Sequence, residues 1–386
     1  MARRIRPTGR GVTLLAVGVV ALAAGVWAHY PGAVGFGLAA VVAVLASLVG
    51  LLTSPRVKVR RLLPAGRVRR LSELTVPVLL THPNTGGSLQ VRVAERVNGR
   101  RRDPVTVTVP SGGAARLECP VDTTSPGTAV LGPMDVTRSG FAGLAGMHLT
   151  DGRVDTVTVL ARRLPVTLPD IGSLPQDSLQ PDEVEGGGTE LRSLRHYVPG
   201  DDIRRVNARI SARFGTLMIR EDAEPAISAV TVLVNNAAVV PPTRYAEMLD
   251  VATSICAAGA LAGVPIGWCG RGMDAPVQLD ATDAADLEAA EVAIACLTPS
   301  DDVLPRMPSA DLTVLVTAAE GADDVAASVT SHGDHRLLVV LALSAPGADV
   351  DEQSGSRGRS VVTAVTAEEC LRRFGRIGSA LAAVGR

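Results

Sequence analysis

"AVTVLVNNAAVV" (Ala229–Val240) opens the second half of the chain. Ala229–Val234 is a mostly aliphatic run with Thr231 its one polar residue, too short for a helix and closed by Asn235-Asn236. Such a run reads as a strand buried on both faces. The theme then repeats with helices between. Arg244–Ala262 has helical periodicity, Pro265–Cys269 ("PIGWC") is a short strand, and Asp283–Leu297 is a helix. Leu312–Val316 ("LTVLV") is a strand, Asp323–His332 a helix and Arg336–Leu343 ("RLLVVLAL") a strand. "SVVTAV" (Ser360–Val365) and a last helix over Ala367–Val384 complete the series. Strands alternating with helices predict a doubly wound α/β domain over residues 226–386.

Upstream the period changes to two. "LQVRV" (Leu89–Val93), "VTVTV" (Val105–Val109) and "DTVTVL" (Asp155–Leu160) alternate apolar with polar residues. Turn clusters such as "HPNTGGS" (His82–Ser88) and "PSGGA" (Pro110–Ala114) separate them. About seven short strands at this spacing predict an antiparallel β-sandwich over residues 55–169. No residue pattern there is catalytic. Residues 170–188 read as a linker rich in Gly, Pro and acid.

Residues 1–54 are of another kind. Gly11–Ala28 and Ala33–Leu52 carry no charge, and each is near the length that crosses a bilayer core. His29-Tyr30-Pro31-Gly32 turns the chain between them, so the pair reads as a transmembrane helical hairpin. A cleaved signal peptide is set aside, because a second span follows at once and Trp27 makes a poor cleavage context. Arg3, Arg4, Arg6 and Arg10 precede the hairpin, and Arg56, Lys58, Arg60 and Arg61 follow it. The turn carries no Lys or Arg. By the positive-inside rule both ends face the cytoplasm of a multi-pass protein of the cell membrane.

Composition removes several function classes. The net charge of -1 excludes a globally basic nucleic-acid binder, and 2% aromatic residues leave few platforms for base stacking. Lys58 is the sole lysine, so no Walker-type phosphate loop exists. The 5 cysteines, Cys119, Cys256, Cys269, Cys296 and Cys370, are widely spaced with no CxxC, as in reduced cytosolic proteins.

Charge is concentrated in "LRSLRHYVPGDDIRRVNARISAR" (Leu191–Arg213), within an arginine-rich segment over residues 189–225. Arg192, Arg195, Arg204, Arg205, Arg209 and Arg213 lie there beside Asp201 and Asp202. Pro199-Gly200 turns the chain, and either aspartate can cap a following helix. On that helix Ile203, Val206 and Ile210 share one face, while Arg205, Arg209 and Arg213 form a row at i, i+4 and i+8. The row serves either as a clamp on Asp201, Asp202, Glu221 and Asp222 or as a surface for an acidic partner. No nucleophile–base pair stands near it.

"SLRHYVPGDDIRRVNARISARFGTLMIRE" (Ser193–Glu221) resembles the signature of the domain-of-unknown-function family 58. The likeness rests on Arg195, Tyr197, Gly200 and Asp201, the following arginines, Ala212-Arg213, and a strand ending in acid. The resemblance implies a bacterial membrane protein with a helical hairpin, a β-sandwich and a von Willebrand factor A-like domain. It also implies a MoxR-type AAA+ ATPase as partner. "GFAGL" (Gly140–Leu144) sits where such proteins often carry an Asp-Pro-Phe-Gly-Leu-like turn, with Ser139-Gly140 in place of Asp-Pro. Asn207-Ala208 departs from the usual acidic or His residue and Trp. Von Willebrand A-like domains hold a divalent cation through Asp-x-Ser-x-Ser after the first strand. Here Asn235, Ala237 and Val239 occupy those places, a degenerate set for a hard cation.

Other clusters carry less. "SHGDH" (Ser331–His335) lacks a further ligand at metal-site spacing. Cys256 lies in a small-residue helix, Asp301-Asp302 in a polar loop, and Gly186–Gly188 precede no strand–turn–helix. The reading that follows is a non-enzymatic, membrane-anchored, cytoplasm-facing interaction or scaffold protein without cofactor. The alternative is a divalent-cation-dependent ligand-binding protein or hydrolase using the α/β crevice. A third, weaker reading is recruitment of anionic lipid by the basic run Arg56–Arg70.

Overall fold

Gly11, Gly18 and Gly25 recur every seven residues along the first apolar run. In the computed structural model they are the buried face of its helix. The structure describes residues 2–52, 57–63, 66–82, 87–151, 153–169, 191–198, 206, 208–222, 229–280, 283–305, 310–332, 335–347 and 359–377. The chain forms two compact units, Met1–Leu160 and Ala161–Arg386. The expected linker over residues 170–188 lies outside the described residues.

The first unit begins with strand β1 (Ala2–Pro7) and helices α1 (Gly9–Trp27) and α2 (Pro31–Leu52). The helices form a hairpin in which small residues meet. A Cβ added at Gly18 would lie 2.7 Å from the Ala40 Cβ, and one at Gly37 would lie 2.6 Å from the Gly18 carbonyl oxygen. Close backbone approach through small residues is how helices pair where burial from water gives no drive. The remaining faces present exposed Val17, Val20, Phe36, Leu38, Val42 and Leu45. Both helices are long and apolar enough to cross a membrane.

The strands that follow are β2 (Lys58–Arg61), β3 (Arg67–Arg69), β4 (Leu74–Thr81), β5 (Leu89–Ala94), β6 (Arg96–Val97), β7 (Arg100–Arg101), β8 (Val105–Val109), β9 (Ala114–Val121), β10 (Gly127–Leu131), β11 (Met134–Ser139), β12 (Ala145–Asp151) and β13 (Asp155–Leu160). They build three sheets, ordered β1-β12-β11-β5-β8, β3-β13-β10-β6-β7 and β2-β4-β9. The long strand β4 serves two cores. Its Val78 and Leu80 meet Val91, Val93 and Val136, while its Leu74 and Val76 meet Leu131, Val157 and Val159. Pairing is antiparallel except between β13 and β3.

Strand β1 departs from the sequence reading, which treated the first arginines only as a charged flank. It pairs antiparallel with β12 from Ala2↔Thr150 to Pro7↔Ala145. Ile5 packs inward beside Leu51, Ala145 and Met147, while Arg4 and Arg6 stay exposed. One inward residue among arginines is too short an alternation to read as a strand.

The second unit contains β14 (Leu191–His196), α3 (Ala208–Phe214), β15 (Met218–Asp222), β16 (Val230–Val234), α4 (Pro242–Leu261), β17 (Ile266–Gly270), β18 (Val277–Leu279), α5 (Ala284–Ala295), β19 (Ala310–Ala318), α6 (Ala322–His332), β20 (His335–Leu343), β21 (Arg359–Ala364) and α7 (Ala367–Phe374). Six strands form one sheet in the order β18-β17-β16-β19-β20-β21. Neighbours are parallel, save the edge strand β18. Val230, Val232 and Val234 face α4, α5 and α7 on one side, and Leu233, Cys269 and Leu315 face α6 on the other. Helices on both faces make the sheet doubly wound. Burial on both faces explains strands that are apolar at most positions, with buried Thr231 and Thr313 among the exceptions.

Ala161–Leu168, grouped with the strands from sequence, packs in this second unit. Arg162 anchors it. Its backbone N–H and Nε donate to the two carboxylate oxygens of Asp250 at 2.7 and 2.6 Å. Nη1 donates to Glu368 at 2.7 Å, and Nη2 stands 3.4 Å from Glu247. Burial opposes the charge of Arg162, but Asp250 and then Glu247 outweigh it and hold its pKa above the ordinary value. Removing one side of a buried pair leaves the other charge uncompensated. Arg162→Ala is therefore expected to cost about 3–5 kcal/mol. Denaturant unfolding of the full-length protein, followed by fluorescence of the buried Trp268, measures it; a change under about 1 kcal/mol would mean the pair is as weak as an exposed one.

Candidate functional site

In an open doubly wound sheet, ligands bind where the succession of strands reverses direction. Here β16 leads through α4 to its neighbour β17, while β19 leads through α6 to β20 on the opposite flank. The crevice between the carboxyl ends of β16 and β19 is thus the place to examine, and Asn235 and Thr317 stand there.

Both asparagines after β16 are buried and fully engaged. Asn235 Nδ2 donates to Thr317 Oγ1 at 2.8 Å, and its Oδ1 accepts from Arg271 Nε at 2.6 Å. Asn236 Nδ2 donates to the Thr298 carbonyl at 2.7 Å, and its Oδ1 accepts from the Arg271 backbone N–H at 2.6 Å. Arg271 Nη1 continues to the Asp302 carbonyl at 2.8 Å. Ser300 Oγ donates to the Asp302 carboxylate at 2.7 Å. Tyr245 closes the floor by donating to the Leu297 carbonyl at 2.6 Å, and burial pushes its pKa up. Across the mouth Arg244 pairs with Glu320, and that hydrogen bond holds the Glu320 carboxyl below its ordinary range.

The arrangement therefore places a fixed guanidinium against Asn235. Beside Asn235, Ala237 is half-buried and Val239 is exposed, and neither carries a side-chain donor oxygen. Thr317, Ser300 and Asp302 supply oxygens nearby, but their hydrogen bonds tie them within the loop network. Among the described residues, no three or more His, Cys, Asp or Glu side chains gather as a metal cluster. Sequence reasoning singled out Asn235 and missed Arg271. The usable signal was the position of Arg271 just past the end of the second strand, where the reversal rule places site residues.

The arginine segment is only partly described. Gly200, Asp201, Asp202, Ile203, Arg204 and Arg205 lie outside the described residues. The expected helix through Val206 is not formed. Val206 makes an extended bridge with Ile219, and α3 starts at Ala208. Pairing with β15 takes the backbone that a helix would have used. Arg209 and Arg213 remain one turn apart and exposed on α3. Ser211 Oγ accepts from the Met218 N–H at 2.8 Å and staples α3 to β15. Arg195 donates to the His196 carbonyl, and the Tyr197 N–H donates to the Leu217 carbonyl at 2.9 Å. Val198, Phe214 and Leu217 are exposed on the same short module, apolar residues that the charge-centred reading passed over.

The buried thiols are structural. Burial raises the pKa of Cys256, and Cys269 and Cys370 are pushed up to about 12 by the same cause. A thiol so raised is no nucleophile near neutrality. The side chains of His332, Asp334 and His335 in "SHGDH" lie outside the described ones.

No family model matches the chain, and no curated protein matches it. Among solved structures it is similar to a CARDB domain from Pyrococcus furiosus in complex with di-metal ions, at 15% identity and a TM-score of 0.22, over 28% of this chain and 90% of that one. It is also similar to the alkylpurine DNA glycosylase AlkC of Pseudomonas fluorescens bound to DNA with an abasic site analog, at 10% identity and a TM-score of 0.21, over 34% and 39%. At these TM-scores neither likeness carries an argument.

A guanidinium held against Asn235 repels a cation from the crevice. Calorimetric titration of the full-length protein with Mg²⁺ or Mn²⁺ is expected to show binding no tighter than about 1 mM. Tight binding abolished by Asn235→Ala would show that Arg271 moves aside.

Proposed function

We propose that this protein is a membrane-anchored, cytoplasm-facing interaction scaffold of the domain-of-unknown-function family 58 type, without catalysis of its own. The observation that carries the reading is the α3 module. It presents exposed Phe214 and Leu217 beside exposed Arg209 and Arg213. Apolar anchors joined to like charges suit a partner surface of acidic character, which gains orientation and association rate from the charges. The doubly wound sheet supports a von Willebrand A-like role for the second unit. In that role Arg271 takes the part of the cation beside Asn235, and the domain works without metal. A MoxR-type AAA+ ATPase is the partner that the signature around Arg195, Tyr197 and Gly200 suggests.

Topology is the second element of the proposal. The hairpin spans the cell membrane, and positive flanks put both its ends in the cytoplasm. The pairing of β1 with β12 supports this, because it returns the start of α1 to the sheets that follow α2. Reporter fusions after Pro55 and at the C-terminus are both expected to read cytoplasmic. A periplasmic signal from either defeats the orientation.

Capture of the purified ATPase by full-length protein in nanodiscs tests the surface. Arg209→Glu with Arg213→Glu is expected to leave the melting temperature nearly unchanged and to weaken capture, most strongly at low salt where screening is least. Phe214→Ser is expected to weaken capture at every salt concentration. Undiminished capture by both variants would remove the α3 module from the interface.

A further inference from the structure

The β11–β12 turn, Gly140–Leu144, is built into the base of the hairpin. Ser47 Oγ on α2 donates to the Phe141 carbonyl at 3.3 Å. A Cβ at Gly140 would sit 2.5 Å from that Ser47 Oγ. On the other helix, a Cβ at Gly11 would sit 1.9 Å from the Leu144 carbonyl oxygen. The turn therefore touches α1 at Gly11 and α2 at Ser47.

Those contacts fix its depth. Beyond them toward the hairpin tip, Val12–Trp27 and Pro31–Ala46 leave roughly 16 residues each, about 24 Å at the helical rise. A hydrocarbon core is about 30 Å thick, and any tilt lengthens the helix needed. Apolar solvent must then extend past the level of Gly11 and Ser47 by about 6 Å, or one helical turn. The surface of α2 agrees, since Val49 and Leu52 below Ser47 are 54% and 59% exposed.

The turn is chemically suited to that depth. Gly140–Gly146 ("GFAGLAG") contains no polar side chain, and Phe141 is 72% exposed. Non-helical backbone at membrane depth needs its polar groups paired within the protein or hydrated; the Phe141 N–H and the two Ala142 backbone groups are left to water at the headgroup boundary, and the others are paired. Here the Gly140 carbonyl accepts from the Gly143 N–H at 3.0 Å, and the Phe141 carbonyl accepts from the Leu144 N–H at 3.1 Å as well as from Ser47. The Gly143 carbonyl accepts from Thr8 Oγ1 at 2.6 Å, and the Leu144 carbonyl accepts from the Thr8 N–H at 3.0 Å. The Gly140 N–H donates to the Ala145 carbonyl at 2.8 Å. At the opposite end of the hairpin, exposed Trp27 and Tyr30 mark the other interface.

We infer that the Gly140–Leu144 turn is a third membrane contact, with Phe141 inserted among the lipid acyl chains beside α2. The inference rests on the bilayer-spanning reading of the hairpin, and it makes the sandwich a partly embedded domain rather than one tethered at a distance.

Spin labels report the depth. Cys296 is the exposed cysteine and Cys119, Cys256, Cys269 and Cys370 are buried, so Cys296→Ser gives a background for single labels. Full-length protein labelled at Phe141→Cys, Val42→Cys or Val105→Cys is placed in phosphatidylcholine/phosphatidylglycerol nanodiscs. Collision with oxygen and with a water-soluble nickel chelate is then compared. The Phe141 substitution removes an exposed ring, while Ser47 binds only its backbone, so the turn is retained. The expected oxygen-to-nickel ratio at position 141 shifts toward that of Val42 in the span and away from that of Val105 on the sandwich. A ratio at 141 equal to that at 105, with 42 in lipid, overturns the inference and leaves the hairpin intact. Shielding of 141 from both reagents overturns it in favour of a protein contact. A water-like ratio at 42 defeats the spanning reading first, and the inference with it.

Discussion

The carbonyl of Leu144 is the point on which the first unit depends. It accepts from the Thr8 N–H while the Thr8 hydroxyl both caps α1 and donates to Gly143. One residue thereby ends β1, begins α1 and binds the β11–β12 turn. Gly11 must lack a side chain for the carbonyl to approach. The seam continues upward through Gly18 and Gly37, so the spacing of small residues sets how the two helices meet. Because β1 is already paired with β12 at this base, the hairpin cannot swing as a free tether would. It leaves the sheet with its direction imposed.

The second unit is organised by arginines used in two different ways. Arg162 collects Asp250, Glu247 and Glu368, and so binds the segment that enters the unit to α4 and α7. Its geometry is bidentate and buried, where loss of one partner is severe. Arg271 instead serves neutral acceptors, the Asn235 amide oxygen and the Asp302 carbonyl. Two carboxamides can be buried beside a guanidinium because each of their polar atoms has a partner. The Asn235 amide oxygen thus accepts from a cation that is tethered to the chain.

Much of this architecture was legible locally. The hairpin follows from two uncharged runs and a turn. The doubly wound sheet follows from strands such as Ala229–Val234 alternating with helical periods, and the helices α4, α5 and α6 begin within a few residues of their expected starts. Strand β1 was hidden because Arg4 and Arg6 resemble a positive flank, and only pairing with β12 makes their alternation meaningful. Val206 was placed on a helix by its spacing from Ile210, yet its backbone bonds to β15 instead. The strand β18 is 3 residues long and has no periodicity to detect.

What the sequence by itself determined are properties set within a turn or two of chain: the length of the apolar runs, strand and helix period, the absence of side-chain oxygens at Ala237 and Val239, and the small-residue spacing of α1. The tertiary structure alone decided which group faces Asn235, since Arg271 lies 36 residues away and arrives there only because β17 is the parallel neighbour of β16. It likewise decided that Phe141 stands beside Ser47, 94 residues apart from the turn in sequence, as Ser47 bonds the Phe141 carbonyl. Hydrophobic period is a local quantity, and a hydrogen bond between distant residues is not, because its geometry exists only once the sheets have paired.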